Sequence, residues 1–143
     1  MSQQLIEIDV RKYRLRTNIF MYGCYLLLFI SLIAPFVGYC DMRPEFETRE
    51  TWFQRSGALT TIFALLSTTL RDLTSSFLYS GGFGEKAKLI VKQEFQLRFA
   101  LVFAVGFVLT VVGTIIWGYG DTILKLHESS ESLYTLLGLD AWF

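Results

Sequence analysis

The chain has 143 residues, 52% of them hydrophobic and 16% aromatic, with a mean hydropathy of +0.43 and a formal net charge of zero. Only 18% are charged, against about 25% in an ordinary soluble domain. A net charge of zero implies no bulk electrostatic partner, and no nucleic-acid partner is expected; the apolar composition points to a single domain in a membrane.

Residues 1–17 are polar and basic, with Leu5, Ile6, Ile8, Val10, Tyr13 and Leu15 interspersed. They read either as a short amphipathic interfacial segment or as a cytoplasmic strand, and periodicity leaves both open. Residues 18–40 contain no charge and meet the roughly 20 apolar residues needed to cross the hydrocarbon core. The run exceeds the roughly 7–15 residues of a signal-peptide core, and no A-x-A site follows. Tyr39 before Cys40 does not suit lipoprotein processing, so the segment reads as a signal anchor. Pro35 is expected to kink it near its far end, while Pro44 belongs to the following loop. Cys24 and Cys40 fall on one helix about 24 Å apart at 1.5 Å per residue, too far to pair, and read as small packing residues.

Residues 53–70 make a second, less apolar span that opens with Gln54 and Arg55, the arginine snorkelling to the interface. The helical pattern then continues through RDLTSSFLY to a turn at Gly81-Gly82-Phe83-Gly84. EKAKLIVKQEFQLRF resumes with strong helix formers and leads into a third charge-free span, residues 99–119. The second and third spans thus form a long helical hairpin with its tip in the cytoplasm. Past residue 119, Ser129-Ser130-Glu131 reads as a helix start and Gly138 as its stop. The apolar tail, 120–143, ending in Trp142 and Phe143, suits either the outer interface or another subunit.

Charge sets the orientation. Arg11, Lys12, Arg14 and Arg16 precede the first span, and Arg71, Lys86, Lys88, Lys92 and Arg98 lie between the second and third. The 41–52 loop carries Asp41, Glu45, Glu47 and Glu50 against Arg43 and Arg49, and the tail has one lysine, Lys125. The positive-inside rule places the N-terminus and the 71–98 segment in the cytoplasm and the C-terminus outside. The fold class is therefore all-α, an integral membrane protein with three transmembrane helices in one domain, expected in a bacterial inner membrane.

Gly118-Tyr119-Gly120-Asp121 matches the GYG of a potassium-channel filter, whose re-entrant loops read TVGYG. Here the match closes a full span and no crossing helix follows. The simpler expectation is an aromatic belt of Trp117 and Tyr119, with Gly118 and Gly120 ending the helix. WFQRSGA (residues 52–58) and GTIIWGYGD (residues 113–121) resemble small bacterial inner-membrane proteins, among them the transmembrane effectors of anti-phage modules of the retron type. The resemblance covers about 16 residues in two short segments and implies no catalytic or cofactor-binding residue.

His127 is the only histidine, with no second ligand near it, so neither metal nor cofactor is expected. No Walker A loop, nucleophile elbow or HExxH is present, and the chain reads as a non-enzyme. RKYRLR attracts anionic lipid at about 1 kcal/mol per basic residue. Two helix faces remain. Gly106, Thr110, Thr114 and Gly118 recur every four residues as a small ridge for close packing, against either the chain's own spans or another subunit. Thr60, Ala64, Ser67, Thr68, Arg71 and Ser75 form a polar stripe that must face protein or water. A ring of subunits would let Thr60, Ala64, Ser67, Thr68 and Arg71 line a pore. Packing with hydroxyls bonded back to helix carbonyls is the other reading. The expectation is a homo-oligomeric pore or membrane-disrupting effector, with a cytoplasmic partner on the 71–98 hairpin. The alternative is an accessory subunit that anchors a partner and has no permeation path.

Overall fold

The computed structural model describes residues 2–40, 44–79 and 86–136, with side chains described within these from Ile6 to His127 and at Ser129. It contains three helices, α1 (Ser2–Tyr39), α2 (Arg49–Tyr79) and α3 (Lys86–Leu136). The turn expected at Gly81–Gly84, the stop at Gly138 and the aromatic end at Trp142 and Phe143 lie outside the described residues.

The first helix is continuous from the basic segment into the apolar run, so residues 2–17 form neither a separate interfacial segment nor a strand. Nothing in Ser2–Thr17 breaks a helix, and the chain continues helically through Pro35. The second helix starts at a cap: Thr48 Oγ1 accepts from the Thr51 backbone N–H at 3.3 Å, which satisfies one orphan donor of the first turn. It then runs without interruption to Tyr79, as the RDLTSSFLY pattern predicts. The third helix corrects the sequence reading. Gly118 and Gly120 do not end it, and Ser129 does not begin a new one; a single helix of 51 residues carries on to Leu136. A glycine costs a helix only about 1 kcal/mol, and here the flanking turns are packed on both neighbours.

The order in space follows from pairs of touching residues. Ser31 bonds to Thr60 and Ser67 to Cys24, so α1 and α2 are antiparallel. Gly57 meets Gly113 and Trp117, Gly106 meets Thr68, and Arg71 reaches Phe99, so α2 and α3 are antiparallel. Arg14 pairs with Glu94, and Tyr39 approaches His127, so α1 and α3 run parallel. Residues 53–70 therefore lie beside 18–40 and 99–119 at the same level along the bundle.

Two helices, α1 and α3, are long and apolar enough to cross a membrane. The second helix does not reach that standard, because Gln54, Arg55 and its hydroxyls dilute the apolar residues; the expected three spans reduce to two on this criterion. Only 17% and 22% of the most apolar windows of α1 and α3 are buried, whereas a core helix of a soluble protein would be mostly covered. Phe29, Phe36, Ile62, Phe107, Val108 and Trp117 all face outward. Such continuous exposed apolar surface is compatible with a membrane protein.

The buried core lies toward the 2–17 and 71–98 end. Met21, Cys24, Leu28, Leu78, Val91, Phe95, Phe99 and Val102 form one cluster, with Val10, Tyr13, Leu70, Phe77 and Leu109 against it. Cys24 is buried and Cys40 exposed, and both are free.

Candidate functional site

The polar stripe of α2 faces inward. Thr60, Ala64 and Ser67 are completely buried within the protomer, where α1 and α3 cover them. The two hydroxyls among them have partners: Thr60 Oγ1 donates to Ser56 O at 2.9 Å, and Ser67 Oγ crosses to Cys24 O at 3.0 Å. Ser31 Oγ of α1 returns the contact, donating to Thr60 O at 2.8 Å. These three residues are thus not available to a water-filled lumen in this packing, because the space they face holds α1 and α3. Thr68 is half-buried, donates to Leu65 O at 2.9 Å and touches Gly106. Arg71 donates to Phe99 O at 3.1 Å, pairs with Asp72 and lies 5.2 Å from the Phe103 ring. Only Thr68 and Arg71 of the five expected pore residues keep any outward surface.

Interhelical hydroxyl bonds in lipid are worth about 0.6 kcal/mol on average and up to about 1.7. Ser67→Ala and Ser31→Ala should each lower bundle stability by that order. Because seven residues separate Ser31 from Cys24, about 10 Å along the helix, the double variant should lose close to the sum. Detergent-denaturant titrations would check this; a double variant as stable as wild type would mean the bonds are incidental.

Within the protomer, only part of the ridge Gly106, Thr110, Thr114 and Gly118 packs against α2. Gly106 is buried against α2, where an added β-carbon would stand 2.6 Å from Thr68 Cγ2. Thr110 is half-buried and bonds back to Gly106 O at 2.8 Å. Thr114 is exposed, and a β-carbon on Gly118 would meet nothing within 4 Å. The contact face instead carries Gly106, Gly113 and Gly120, seven residues apart, and Gly57 of α2 sits opposite its middle. A β-carbon on Gly57 would lie 2.6 Å from Trp117 N and 2.7 Å from Gly113 O; one on Gly113 would lie 2.7 Å from Gly57 O. Backbone meets backbone here. WFQRSGA and GTIIWGYGD, far apart in sequence, are the two sides of this one crossing. Comparison with family profiles, curated proteins and solved structures finds no match. The roles of these residues therefore rest on their geometry alone.

The two ends of the bundle differ in charge. At the 2–17 and 71–98 end, Arg14 and Glu94 form an ion pair at 2.9 Å. Other cations lie on aromatic rings. Lys88, only 9% exposed, has its Nζ 5.2 Å from the Phe77 centroid and 5.5 Å from that of Tyr13. Arg16 lies over Phe77 at 4.7 Å and Lys92 over Tyr79 at 3.5 Å. Each contact contributes about 0.5–1 kcal/mol when exposed and about 2 when desolvated. The positive charges expected from topology are thus also structural, which charge counting could not reveal, because the rings they cover lie on other helices. At the other end charges of both signs pair locally: Arg55 with Glu47, and Lys125 with Glu50 at 3.8 Å. Among the described residues, no group of His, Cys, Asp and Glu is placed to hold a metal ion.

Proposed function

We propose that the chain is a three-crossing plasma-membrane protein, bacterial by its resemblance, that anchors a cytoplasmic partner and performs no chemistry of its own. The observation that carries this reading is the inward-facing stripe. With Thr60, Ala64 and Ser67 covered inside the protomer, α2 can cross lipid without a second copy to shield it. Its level beside the apolar runs of α1 and α3 supports a crossing despite its lower hydropathy. The three helices measure about 57, 46 and 77 Å at 1.5 Å per residue, against a hydrocarbon core of about 30 Å, so they project well beyond it. The projecting 2–17 and 71–98 end is cationic and also exposes Ile8, Leu15, Leu89 and Leu97, a surface suited to a partner protein. The excess of Lys and Arg at that end supports its cytoplasmic orientation.

A homo-oligomeric pore or membrane-disrupting effector, as in an anti-phage module, is the competing reading; its lumen would need a face other than the stripe. Purified protein in dye-loaded liposomes should release nothing, while a photo-crosslinker at Leu97 in cells should capture a partner distinct from the chain itself. Leakage that scales with oligomer formation would reverse the choice. A reporter fused at Gly82 should read cytoplasmic and one after Phe143 external. A cytoplasmic C-terminus would be incompatible with parallel α1 and α3 both crossing and would overturn the three-crossing reading.

A further inference from the structure

On the side of the bundle where α2 begins, α1 and α2 leave a groove of about 440 Å³, within the roughly 300–1,000 Å³ of ligand sites. Leu26, Ile33 and Ala34 of α1 and Leu59 and Phe63 of α2 form its walls, and Trp52 and Arg55 lie at one end. Its α1 side runs from Leu26 to Gly38, about 18 Å at 1.5 Å per residue. Half of a hydrocarbon core is about 15 Å. The groove therefore covers one leaflet from the interface to the midplane. A partner helix crossing the membrane would need a track about twice as long.

One close helix contact explains why the groove persists. Gly38 lies against Ser56, whose hydroxyl donates to Phe53 O at 2.6 Å. The helices touch there and have no side chain to spare for the space alongside. At this same end of the groove lie Arg55 and Trp52. Arg55 has a 62% exposed side chain and uses Nη1 toward Glu47, which leaves other donors of its five N–H groups for a further acceptor. The Trp52 indole Nε1 is buried and has no acceptor among the described residues.

We propose that this groove seats one acyl chain of a membrane phospholipid from the adjacent leaflet, with the phosphate diester held at Arg55. The inference rests on the membrane reading above but not on the anchoring role. Charge and shape agree on the occupant: an anionic, acceptor-rich group at the interfacial end and a single apolar chain of leaflet length below it. An arginine is suited to phosphate because its planar fork donates two parallel bonds.

The test is native mass spectrometry of the full chain in mild detergent, titrated with phosphatidylglycerol and with diacylglycerol of the same chains. Wild type should retain one phosphatidylglycerol per protomer and prefer it at least about tenfold over diacylglycerol, the scale of one charge-assisted hydrogen bond. Arg55→Gln should lose the preference but keep the diacylglycerol level. Ala34→Phe, which fills the groove, should weaken both. Should Ala34→Phe fail to fold, Trp52 fluorescence in a Trp117→Phe/Trp142→Phe background reads the site directly: phosphatidylglycerol with brominated chains should quench it saturably at one lipid per protomer. Equal affinity of wild type for the two lipids, a preference that survives in Arg55→Gln, or quenching that never saturates would overturn the proposal. So would disulfide-linked dimers through Ala34→Cys in a background lacking Cys24 and Cys40, since they would put a second copy in the groove. Failure of the leakage or crosslinking results above would leave this inference standing, because none of its readouts involves permeation or a partner.

Discussion

Gly113→Leu and Gly57→Leu should each abolish the assembled bundle, whereas Gly118→Leu should leave it intact or slightly more stable. All three substitutions put a better helix former at a helical position, a gain of about 1 kcal/mol before packing is considered. Packing then separates them. A β-carbon on Gly57 would fall 2.6–2.8 Å from Trp117 N, Gly113 O and Ile116 Cβ, and one on Gly113 would fall 2.5–2.8 Å from Thr61 Oγ1, Gly57 O and Thr61 N. Most of these atoms are backbone and cannot rotate away. Overpacking a core with flexible neighbours costs about 1–3 kcal/mol, and a rigid backbone contact should exceed that range. In lipid there is little hydrophobic force to hold displaced helices together, and close dispersion contact carries association. Gly118 has open space at the same point of its turn. Thermal melts in detergent, read by circular dichroism and by size-exclusion profile, would rank the variants. A Gly113→Leu protein that melts with wild type would show that α2 and α3 do not cross backbone to backbone.

That crossing also marks how far the sequence could be read. An every-four template selects Gly106, Thr110, Thr114 and Gly118, but each four-residue step turns about 40° past a full revolution, so Gly118 lies about 120° from Gly106 around the helix. Seven-residue steps drift only about 20° each, which keeps Gly106, Gly113 and Gly120 on one face. The glycines were all visible; the seven-residue period is the one that joins those packed against α2. Helix content and continuity after Leu70 were legible because strong formers fill those stretches. The end of α3 was misread because two glycines and an aspartate look like a stop until the packing of Gly120 against Phe53 and Gln54 is seen. For the stripe, hydroxyl side chains specify only that lipid is excluded. Whether protein or water takes its place depends on where α1 lies, which Ser31 and Cys24 decide through bonds to α2.

Phe95→Ala should open the projecting end of the bundle while the apolar part stays folded. Phe95 is 1% exposed and packs in the cluster with Leu78, Val91 and Phe99, its ring 6.3 Å from that of Phe99. Truncating a buried phenylalanine costs about 3–5 kcal/mol where burial from water supplies the stability. At the 71–98 end, that is the governing force under the proposed topology. Besides the smaller apolar side chains of the cluster, the polar holds there include the Arg14–Glu94 pair, with both side chains over 40% exposed, and cation–ring contacts. An exposed ion pair contributes about 0–1 kcal/mol, too little to replace the ring. Arg98 also loses the ring it covers at 5.0 Å. Deeper in the bundle, the Gly57–Gly113 crossing and the Ser31 and Ser67 bonds are untouched. The loss should therefore be local, a sub-global opening rather than complete unfolding. Hydrogen exchange should become fast for amides of residues 6–16, 71–79 and 86–98, with 24–37 and 56–67 still protected. Partner capture through Leu97 should fall in parallel while membrane insertion is unchanged. Uniform deprotection along all three helices would show one indivisible bundle, and unchanged partner capture in an opened variant would place the partner on a different surface.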